Sequence, residues 1–419
     1  MNPPAKRSRT RPQKRRFCSC PSLAIGLLFG LTGLLLPGCG ESQPASETVF
    51  VVPDTGSPDE GVPDFADAGT PLEPEDTSAE KPPGVMPVFV KKQLEASNFD
   101  AQPMAVAYAN DRKPWLAAGY NTHEIILWDP QEGTELQVMK GHTDFVEDLL
   151  FTPNNRFLYS AGWDGALIKW DPESGDLVRK WDSYHPGKIY TLAYSPQHNL
   201  LVTGGEDQTV LLLGTQTERS LGSLQGFGGH IADLAFHPSG KWLAVGSGDG
   251  VVTLWEFPKE SKPRDGKFAD SLKKIATINE TQDESTHIES VAFSPDGRWL
   301  AFSNWNSNIY VWDLETSSMR TVLTGHTTIP FDLVFSHDSR HLISCDRNDG
   351  QLYLWKVNPF RKQNAFQFGD RSAFLVPSFR RMVLDSNGSE LAISGGFWDV
   401  ILCDVDRMME IAYGEDSEG

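Results

Sequence analysis

The chain has few cysteines and few basic residues for its length, and each shortage excludes a class of protein. Its 419 residues include five scattered cysteines: Cys18, Cys20, Cys39, Cys345 and Cys403. This spacing does not make a disulfide framework, and we expect Cys345 and Cys403 to be small buried strand residues. Lys and Arg number 37 against 56 Asp and Glu, which gives a formal net charge of −19. Because phosphate binding requires a basic surface, this balance argues against a nucleic acid partner.

The usual sequence motifs of enzymes and metal sites are also lacking. The chain contains no Gly-x-Ser-x-Gly elbow, no glycine-rich phosphate loop and no His-Glu-x-x-His. No cysteine pair has the spacing of a zinc site. We therefore expect no catalytic residue, no metal ion and no cofactor.

The start of the chain has the three regions of a secretory signal. Residues 1–22 hold seven basic residues and no acidic one, and a 14-residue apolar run follows from Leu23 to Leu36. That run is shorter than the ~20 residues of a spanning helix and suits a signal peptide. The Leu-Pro-Gly-Cys sequence that ends at Cys39 resembles the lipobox of bacterial lipoproteins, which implies lipid attachment to Cys39. Pro37 departs from that pattern, so an uncleaved anchor or ordinary signal cleavage remains open.

A tether is predicted after the signal, at residues 40–86. Between residues 41 and 86 there are eight prolines and 11 acidic residues against one Lys81. Such a segment buries too little apolar surface to fold, and we expect it to be disordered. Gly40 follows the cysteine in place of Asp, which by the lipoprotein resemblance implies the outer membrane of a two-membrane cell.

The rest of the chain contains a repeat. Five copies end in an apolar or basic residue followed by Trp, and two degenerate copies have Leu213 or Cys403 instead; the tryptophans are Trp128, Trp170, Trp255, Trp312 and Trp355. The steps between these positions are 42, 43, 42, 57, 43 and 48 residues. Gly-His pairs and turns of the Ser-Pro-Asp-Gly kind, such as Ser294 to Gly297, recur in phase. Short strands with such turns at this period predict four-stranded blades.

This pattern resembles the WD40 family over residues 87–419. The resemblance implies an all-β fold, a seven-bladed β-propeller whose closure removes exposed sheet edges. Two segments are candidates for the outer strand of the last blade, residues 88–93 at the front and residues 408–413 at the back, and we favour the front. The 57-residue step predicts an insertion around Pro258–Phe268, as a loop below or beside blade four.

The same resemblance implies buried hydrogen-bond networks inside the blades. In each network the Asp accepts from His, the His meets a hydroxyl, and a Trp indole reaches that hydroxyl. Blade two has the full set of His142, Ser160, Asp164 and Trp170. Blade three has His185, Thr203 and Asp207 with Leu213 in place of Trp, and blade six has His326, Ser344, Asp349 and Trp355. We expect these residues to be structural rather than catalytic.

The resemblance also places the Gly-His loops and the turns between the second and third strands on one face of the ring. Four of the seven turns carry an aromatic residue, and Phe145 is a candidate neighbour; the turn residues are Tyr120, Trp163, Glu206, Gly248, Trp305, Asn348, Phe397 and Trp398. Aromatic residues at loop tips favour a binding surface. Packing between neighbouring blades is the alternative.

Two functions remain open. The first is a monomeric, membrane-anchored, non-enzymatic scaffold at the cell envelope that binds a protein or peptide on the aromatic face. Because strands alternate in direction, we expect the tether to enter on the opposite side, so that the aromatic face points into the periplasm or the exterior. The second is an envelope hydrolase or carbohydrate-binding propeller with a site in the central channel. A pair of carboxylates converging in the channel would favour the second.

Overall fold

The computed structural model describes residues 86–97, 101–110, 113–258, 266–279, 287–369, 377–395 and 399–414. The predictions on Cys39, on the segment before Met86, and on Phe397 and Trp398 lie outside the described residues.

The described residues form seven four-stranded antiparallel sheets, which are the blades. The first strand of the chain, β1 (Val90–Glu95), belongs to the last blade. Blade one contains β2 (Pro103–Tyr108), β3 (Leu116–Tyr120), β4 (Glu124–Asp129) and β5 (Thr134–Lys140). Blade two contains β6 (Val146–Phe151), β7 (Leu158–Gly162), β8 (Leu167–Asp171) and β9 (Asp176–Trp181). Blade three contains β10 (Ile189–Ser195), β11 (Leu200–Gly205), β12 (Val210–Gly214) and β13 (Arg219–Leu224).

The remaining blades follow the same order. Blade four contains β14 (Ile231–Phe236), β15 (Trp242–Ser247), β16 (Val252–Glu256) and β17 (Lys273–Ile278). Blade five contains β18 (Ile288–Phe293), β19 (Trp299–Asn304), β20 (Ile309–Asp313) and β21 (Ser318–Leu323). Blade six contains β22 (Pro330–Phe335), β23 (His341–Asp346), β24 (Gln351–Lys356) and β25 (Arg361–Gln367). Blade seven contains β26 (Met382–Leu384), β27 (Glu390–Ile393) and β28 (Asp399–Asp404), completed by β1; helix α1 (Val405–Gly414) follows.

The front strand closes the ring, as predicted. β1 pairs antiparallel with β28, with Val90 opposite Cys403 and Glu95 opposite Asp399. The inner strands of neighbouring blades contact one another all the way round, including β2 with β26. The alternative closing segment, residues 408–413, lies in α1, which buries Val405, Met408 and Ala412. Its apolar residues recur at helical spacing rather than alternating, which explains the helix.

The core lies between successive blades. Every residue of β7 is buried. In the outer strand β5, exposed residues alternate with partly buried ones, apart from the buried Met139 near its end. This difference follows from position, because a strand inside a blade is covered on both faces and an outer strand on one. Cys345 and Cys403 are free and buried in the core, which confirms the prediction. None of the helical segments in the described part of the chain is long and apolar enough to cross a membrane.

The turns between the first and second strands have the conformation that their sequences predict. Gly240 and Gly297 each close a four-residue turn at positive φ, 72° and 73°. A glycine reaches this left-handed region without a steric penalty, which explains its place at the end of the Ser-Pro-Asp-Gly turns. These turns lie on one face of the ring, which we call the lower face.

The opposite face, which we call the upper face, carries the loops between blades and the turns between second and third strands. The two are joined by a repeated backbone hydrogen bond: Trp163 N donates to Phe145 O at 2.9 Å, and Trp305 N donates to His287 O at 3.1 Å. Gly248 N donates to His230 O at 2.8 Å in the same way. The upper face is therefore one continuous set of loops held in register.

The insertion in blade four ends in a short 3₁₀ helix at Phe268–Ser271. Residues 259–265 lie outside the described residues. Phe268 and Ala269 are buried against Leu221 and Leu224 of β13 and against Phe257. The described end of the insertion thus packs beside blade four, against the outer strand of blade three.

Candidate functional site

The polar network of blade two joins a loop, two strands and a turn. His142 Nδ1 lies 3.0 Å from Asp164 Oδ1, and His142 Nε2 lies 2.7 Å from Ser160 Oγ. The indole N–H of Trp170 donates to Ser160 Oγ at 2.8 Å. All these contacts are satisfied when Nδ1 carries the proton, so that His142 donates to Asp164 and accepts from Ser160. Burial acts to raise the pKa of Asp164, but hydrogen bonds, above all from His142, outweigh it and hold that pKa below its usual value.

Blade three has the shorter network that its sequence implies. His185 Nδ1 lies 2.9 Å from Asp207 Oδ1, and His185 Nε2 lies 2.7 Å from Thr203 Oγ1. Leu213 is buried where blade two has Trp170. The hydroxyl therefore has no indole to satisfy, and an aliphatic side chain fills the space.

In blade six the aspartate that pairs with the histidine differs from the predicted one. His326 Nδ1 pairs at 2.5 Å with Asp346 Oδ1, not with Asp349. Asp349 instead accepts from the hydroxyl of Thr327 and from Gln351 N. The extra residue in this turn carries Asp349 past the histidine, and Asp346 at the end of β23 takes its place. The other contacts match blade two, because Ser344 Oγ lies 2.7 Å from His326 Nε2 and 2.8 Å from the donating Trp355 Nε1.

The aromatic residues proposed for the upper face divide into two groups. Tyr120 is 0% exposed and packs in the core with Trp128 and Val400, so its assignment to the binding surface is wrong. It is the last residue of β3 rather than a turn residue, and its side chain points between blades. Phe145, Trp163 and Trp305 are half-buried on the upper face.

Two tryptophans of the upper face are fixed by carboxylates at equivalent positions. Trp163 Nε1 donates to Glu147 Oε2 at 3.0 Å, and Trp305 Nε1 donates to Glu289 Oε2 at 2.6 Å. Both glutamates lie on inner strands, sixteen residues before their tryptophan. Each ring is thus held in one orientation while part of its surface stays accessible. These glutamates were not among the predicted site residues.

Further rings and one cation surround the two tryptophans. Phe145 lies 4.8 Å from Trp163 between ring centroids, and Lys188 Nζ lies 4.0 Å from the centroid of Trp163. Beside Trp305, the ring centroid of His287 lies 4.5 Å from that of Trp305, and the centroid of His230 lies 5.7 Å from that of His287. Burial, assisted by the neighbouring His287, lowers the pKa of His230 to about 4, so this stack is uncharged near neutral pH.

One residue further along the inner strands than Glu147 and its equivalents, charged side chains lie at the centre of the propeller. Arg381 Nη1 lies 3.6 Å from Asp233 Oδ1 and 3.9 Å from Asp332 Oδ1. Burial raises the pKa of Asp148 to about 7 and that of Asp332 to about 6, although the charge of Arg381 opposes both shifts. We call Asp148, Asp233, Asp332 and Arg381 the central charge cluster.

The aspartates of this cluster also link each blade to the next. Asp148 accepts from Leu192 N at 2.6 Å. Asp233 accepts from Val291 N at 2.8 Å, and Asp332 accepts from Met382 N at 2.6 Å. Each donor lies on the inner strand of the following blade, so the three aspartates hold blades two to three, four to five and six to seven together. In the ranges that the structure describes, no group of three or more His, Cys, Asp or Glu is arranged to hold a metal ion.

Comparison with known proteins places the chain among propellers. The family described as the IFT122 first β-propeller matches residues 102–371, which is more than half of the chain. The chain is similar to the WD repeat-containing protein SL1-17 of Schistosoma mansoni, 27% identical over 49% of this chain and 63% of the relative. It is also similar to the U5 small nuclear ribonucleoprotein 40 kDa protein of Dictyostelium discoideum, 24% identical over 58% of this chain and 79% of the relative. The target of rapamycin complex subunit LST8 of Saccharomyces cerevisiae is 22% identical over 48% of this chain and 77% of the relative. The chain thus spans less than two thirds of the first relative's length.

Proposed function

The chain belongs to the WD40-repeat β-propeller family, and on that premise we propose that it is a non-enzymatic scaffold that binds a protein or peptide on its upper face. Two of the relatives carry the names of components of larger assemblies, a small nuclear ribonucleoprotein and the target of rapamycin complex. That likeness supports an interaction role for this chain. The net charge of −19 favours a protein partner over nucleic acid.

The observation that carries this proposal is the matched fixation of Trp163 and Trp305. Each indole N–H is satisfied by a glutamate, so the half-exposed ring offers an apolar surface without an unsatisfied donor. Rings already held in one orientation lose little conformational freedom when a partner binds. Large aromatic side chains of this kind supply much of the affinity at protein interfaces.

The central carboxylates bear on the alternative, a hydrolase with a site in the channel. Carboxylates do converge around the centre of the ring, as that alternative requires. Asp148, Asp233 and Asp332 each accept a backbone N–H from the next blade, and Glu147 and Glu289 each accept an indole N–H. Their hydrogen bonds assign them to blade linkage and ring orientation, which favours the scaffold.

We place the scaffold at the cell envelope, as a monomer anchored through lipidated Cys39 and a tether at residues 40–86. The basic leader, the apolar run and the lipobox-like sequence support this. β1 begins at the lower end of blade seven, where Val90 lies opposite Cys403. A tether that joins there leaves the upper face directed away from the membrane.

Mass spectrometry of the mature protein tests the anchor. We expect a lipid-modified Cys39 at the N-terminus and release of a Cys39→Ala variant from membranes. An unmodified N-terminus, or a Cys39→Ala protein that stays in membranes, would contradict the anchor without affecting the upper-face proposal.

Affinity purification from detergent-solubilised membranes tests the binding surface. Trp163→Ala and Trp305→Ala should each lose the proteins that co-purify with the full chain while remaining folded, with a lower melting temperature because Glu147 or Glu289 loses its indole donor. Trp242→Ala is the matched control, because Trp242 is a half-buried tryptophan on the lower face with Lys241 Nζ 4.3 Å from its ring centroid. Equal capture by all four proteins, or unfolding of the two upper-face variants, would overturn the proposal.

A further inference from the structure

Two arginines lie side by side on the upper face at the junction of blades six and seven. Arg347 directly follows β23, and its backbone N donates to Ile329 O at 3.0 Å in the loop that precedes β22. Arg380 lies just before β26, and its backbone N donates to Ser394 O at 3.0 Å. Both guanidinium groups lie against one ring, with 5.2 Å from Arg347 Cζ and 5.7 Å from Arg380 Cζ to the centroid of Phe331.

Neither guanidinium forms an ion pair with a carboxylate of the described residues. Arg381, the next residue in sequence, shows the contrast, because it approaches both Asp233 and Asp332. Arg347 is only 9% exposed, and the Nε of Arg380 is buried without a hydrogen-bond partner among the described groups. A guanidinium that is largely removed from water without an anion is unfavourable, so two neighbouring ones are a feature that requires an explanation.

The carboxylates that act on these arginines through space are already engaged. Glu147 and Glu289 feel the charges of Arg347 and Arg380, but each accepts the indole N–H of its tryptophan. The chain as a whole is strongly acidic, with a formal net charge of −19. Arg347 and Arg380 therefore have no ion-pair partner among the described carboxylates, and they lie on the same face as Trp163 and Trp305.

We propose that Arg347 and Arg380 bind a carboxylate of the partner, either an Asp or Glu side chain or a C-terminal carboxylate. The inference rests on the proposed function, since it names the chemistry of the segment that the upper face binds. A guanidinium presents a planar fork of donors that matches the two oxygens of a carboxylate, and both guanidinium groups lie against Phe331. The rings on the same face favour a segment in which apolar residues flank the acidic group.

Calorimetric titration of the full chain with three synthetic peptides tests the chemistry directly. The first is acetyl-Gly-Phe-Glu-Phe-Gly-amide, the second has Gln in place of Glu, and the third is the Gln peptide with a free C-terminal carboxylate. We expect the first or the third to bind and the second to bind at least tenfold more weakly. Binding of the first identifies a side-chain carboxylate as the ligand group, and binding of the third identifies a terminal one. Equal binding of all three, or binding of none, would overturn the proposal.

Arginine variants test the residues. Arg347→Gln and Arg380→Gln each remove one guanidinium that donates to the carboxylate, so each should weaken binding of the carboxylate peptide about 10- to 100-fold. Arg298→Gln is the matched control, because Arg298 lies on the lower face with its Cζ 4.5 Å from the ring centroid of Trp299. If a Gln variant does not fold, Arg347→Lys and Arg380→Lys keep the charge without the fork and should weaken binding less. Unchanged affinity in folded variants at both positions would overturn the assignment.

The outcomes separate this inference from the proposed function. Loss of co-purifying proteins in Trp163→Ala and Trp305→Ala, together with equal binding of the three peptides, would leave the upper-face scaffold standing and remove the carboxylate site. Discrimination between the peptides, with capture unaffected by the tryptophan variants, would keep the carboxylate site and remove the proposed interface.

Discussion

The network of blade two and the central charge cluster use similar residue types to make different connections. His142, Ser160 and Trp170 join a loop and two strands within a single blade. Asp148 and Asp233 instead accept backbone N–H groups from the following blade. The first kind of network shapes a blade, whereas the second sets how blades are arranged around the ring. Arg347 and Arg380 form neither kind of connection with the described carboxylates, and this distinguishes them from the structural polar groups.

Among substitutions in the two networks, we expect Asp233→Ala to cause the largest loss of stability. Asp233→Ala would remove the acceptor for Val291 N and for the hydroxyls of Thr191 and Ser290, and would take a carboxylate from Arg381. Breaking a buried charge pair on one side should lower the free energy of unfolding by about 3–5 kcal/mol. Denaturant unfolding of the purified protein measures this, with Asp270→Ala, an exposed aspartate, as control. A loss no larger than that of Asp164→Ala would contradict the greater role of linkage between blades.

A smaller effect is expected inside blade two. Asp164→Ala would leave His142 Nδ1 without its acceptor and remove the hydrogen bond from Thr143 N. Loss of one partner in a buried network costs about 1–3 kcal/mol. We expect a lower melting temperature with partner capture retained. An unchanged midpoint would mean that the network contributes nothing to the stability of the blade.

Blade six sharpens the comparison, because it contains two candidate aspartates. Asp346→Ala should lower the melting temperature more than Asp349→Ala, since Asp346 is the partner of the buried His326, whereas Asp349 accepts from Thr327 and Gln351 in the turn. The expected difference is about 1 kcal/mol. Thermal melting of the two variants side by side measures it. A larger loss in Asp349→Ala would restore the pairing that the sequence favours.

The smallest effect is a pH dependence to which buried histidines outside blade two and the central charge cluster contribute with opposite sign. Burial lowers the pKa of His326 to about 3 and of His230 to about 4, so between pH 7 and pH 5 the unfolded chain binds protons there that the folded chain does not. These histidines therefore lower the free energy of unfolding as the pH falls below about 6.5. The pKa of Asp148, raised to about 7, acts in reverse, because the folded carboxyl binds a proton on acidification before the unfolded one does.

Asp148→Asn separates the two contributions. The variant keeps an acceptor for Leu192 N but cannot titrate. Its free energy of unfolding should fall more steeply between pH 7 and pH 5 than that of the unchanged protein, because the opposing contribution of Asp148 is removed. The contributions of the histidines and of Asp332, whose pKa is raised to about 6, are present in both proteins. Denaturant titrations at several pH values measure the two slopes, and equal slopes would remove Asp148 from the account.

The blades and the network inside blade two could be predicted from the sequence, whereas the contacts at the centre of the ring could not. Strand ends marked by Trp128, Trp170 and Trp355 recur at a nearly fixed spacing, and they predicted the blades and the network of blade two. The front closing strand was also predicted, because closure requires an outer strand for the last blade. Tyr120 was misplaced because the end of a strand and the start of a turn differ by one residue, and in this blade that residue points into the core.

The central charge cluster was not predicted, although its aspartates Asp148, Asp233 and Asp332 each begin an Asp-Leu-x-Phe sequence. Equivalent inner-strand positions hold Ala105, Asp148, Thr191, Asp233, Ser290, Asp332 and Arg381. Their partnership depends on which side chains the closed ring brings together, and residues far apart in the chain supply them. The same reason explains why four further residues were not predicted: Glu147, Glu289, Arg347 and Arg380.

Hydroxyl-radical footprinting of the chain with its captured partner tests the central claim most directly, because it reports the accessibility of individual tryptophans. The account predicts that Trp163 and Trp305 are protected from oxidation when the partner is bound, while Trp242 on the lower face reacts as it does in the free protein. Protection of Trp242 with Trp163 and Trp305 unaffected would show that the partner binds the lower face and would contradict the account.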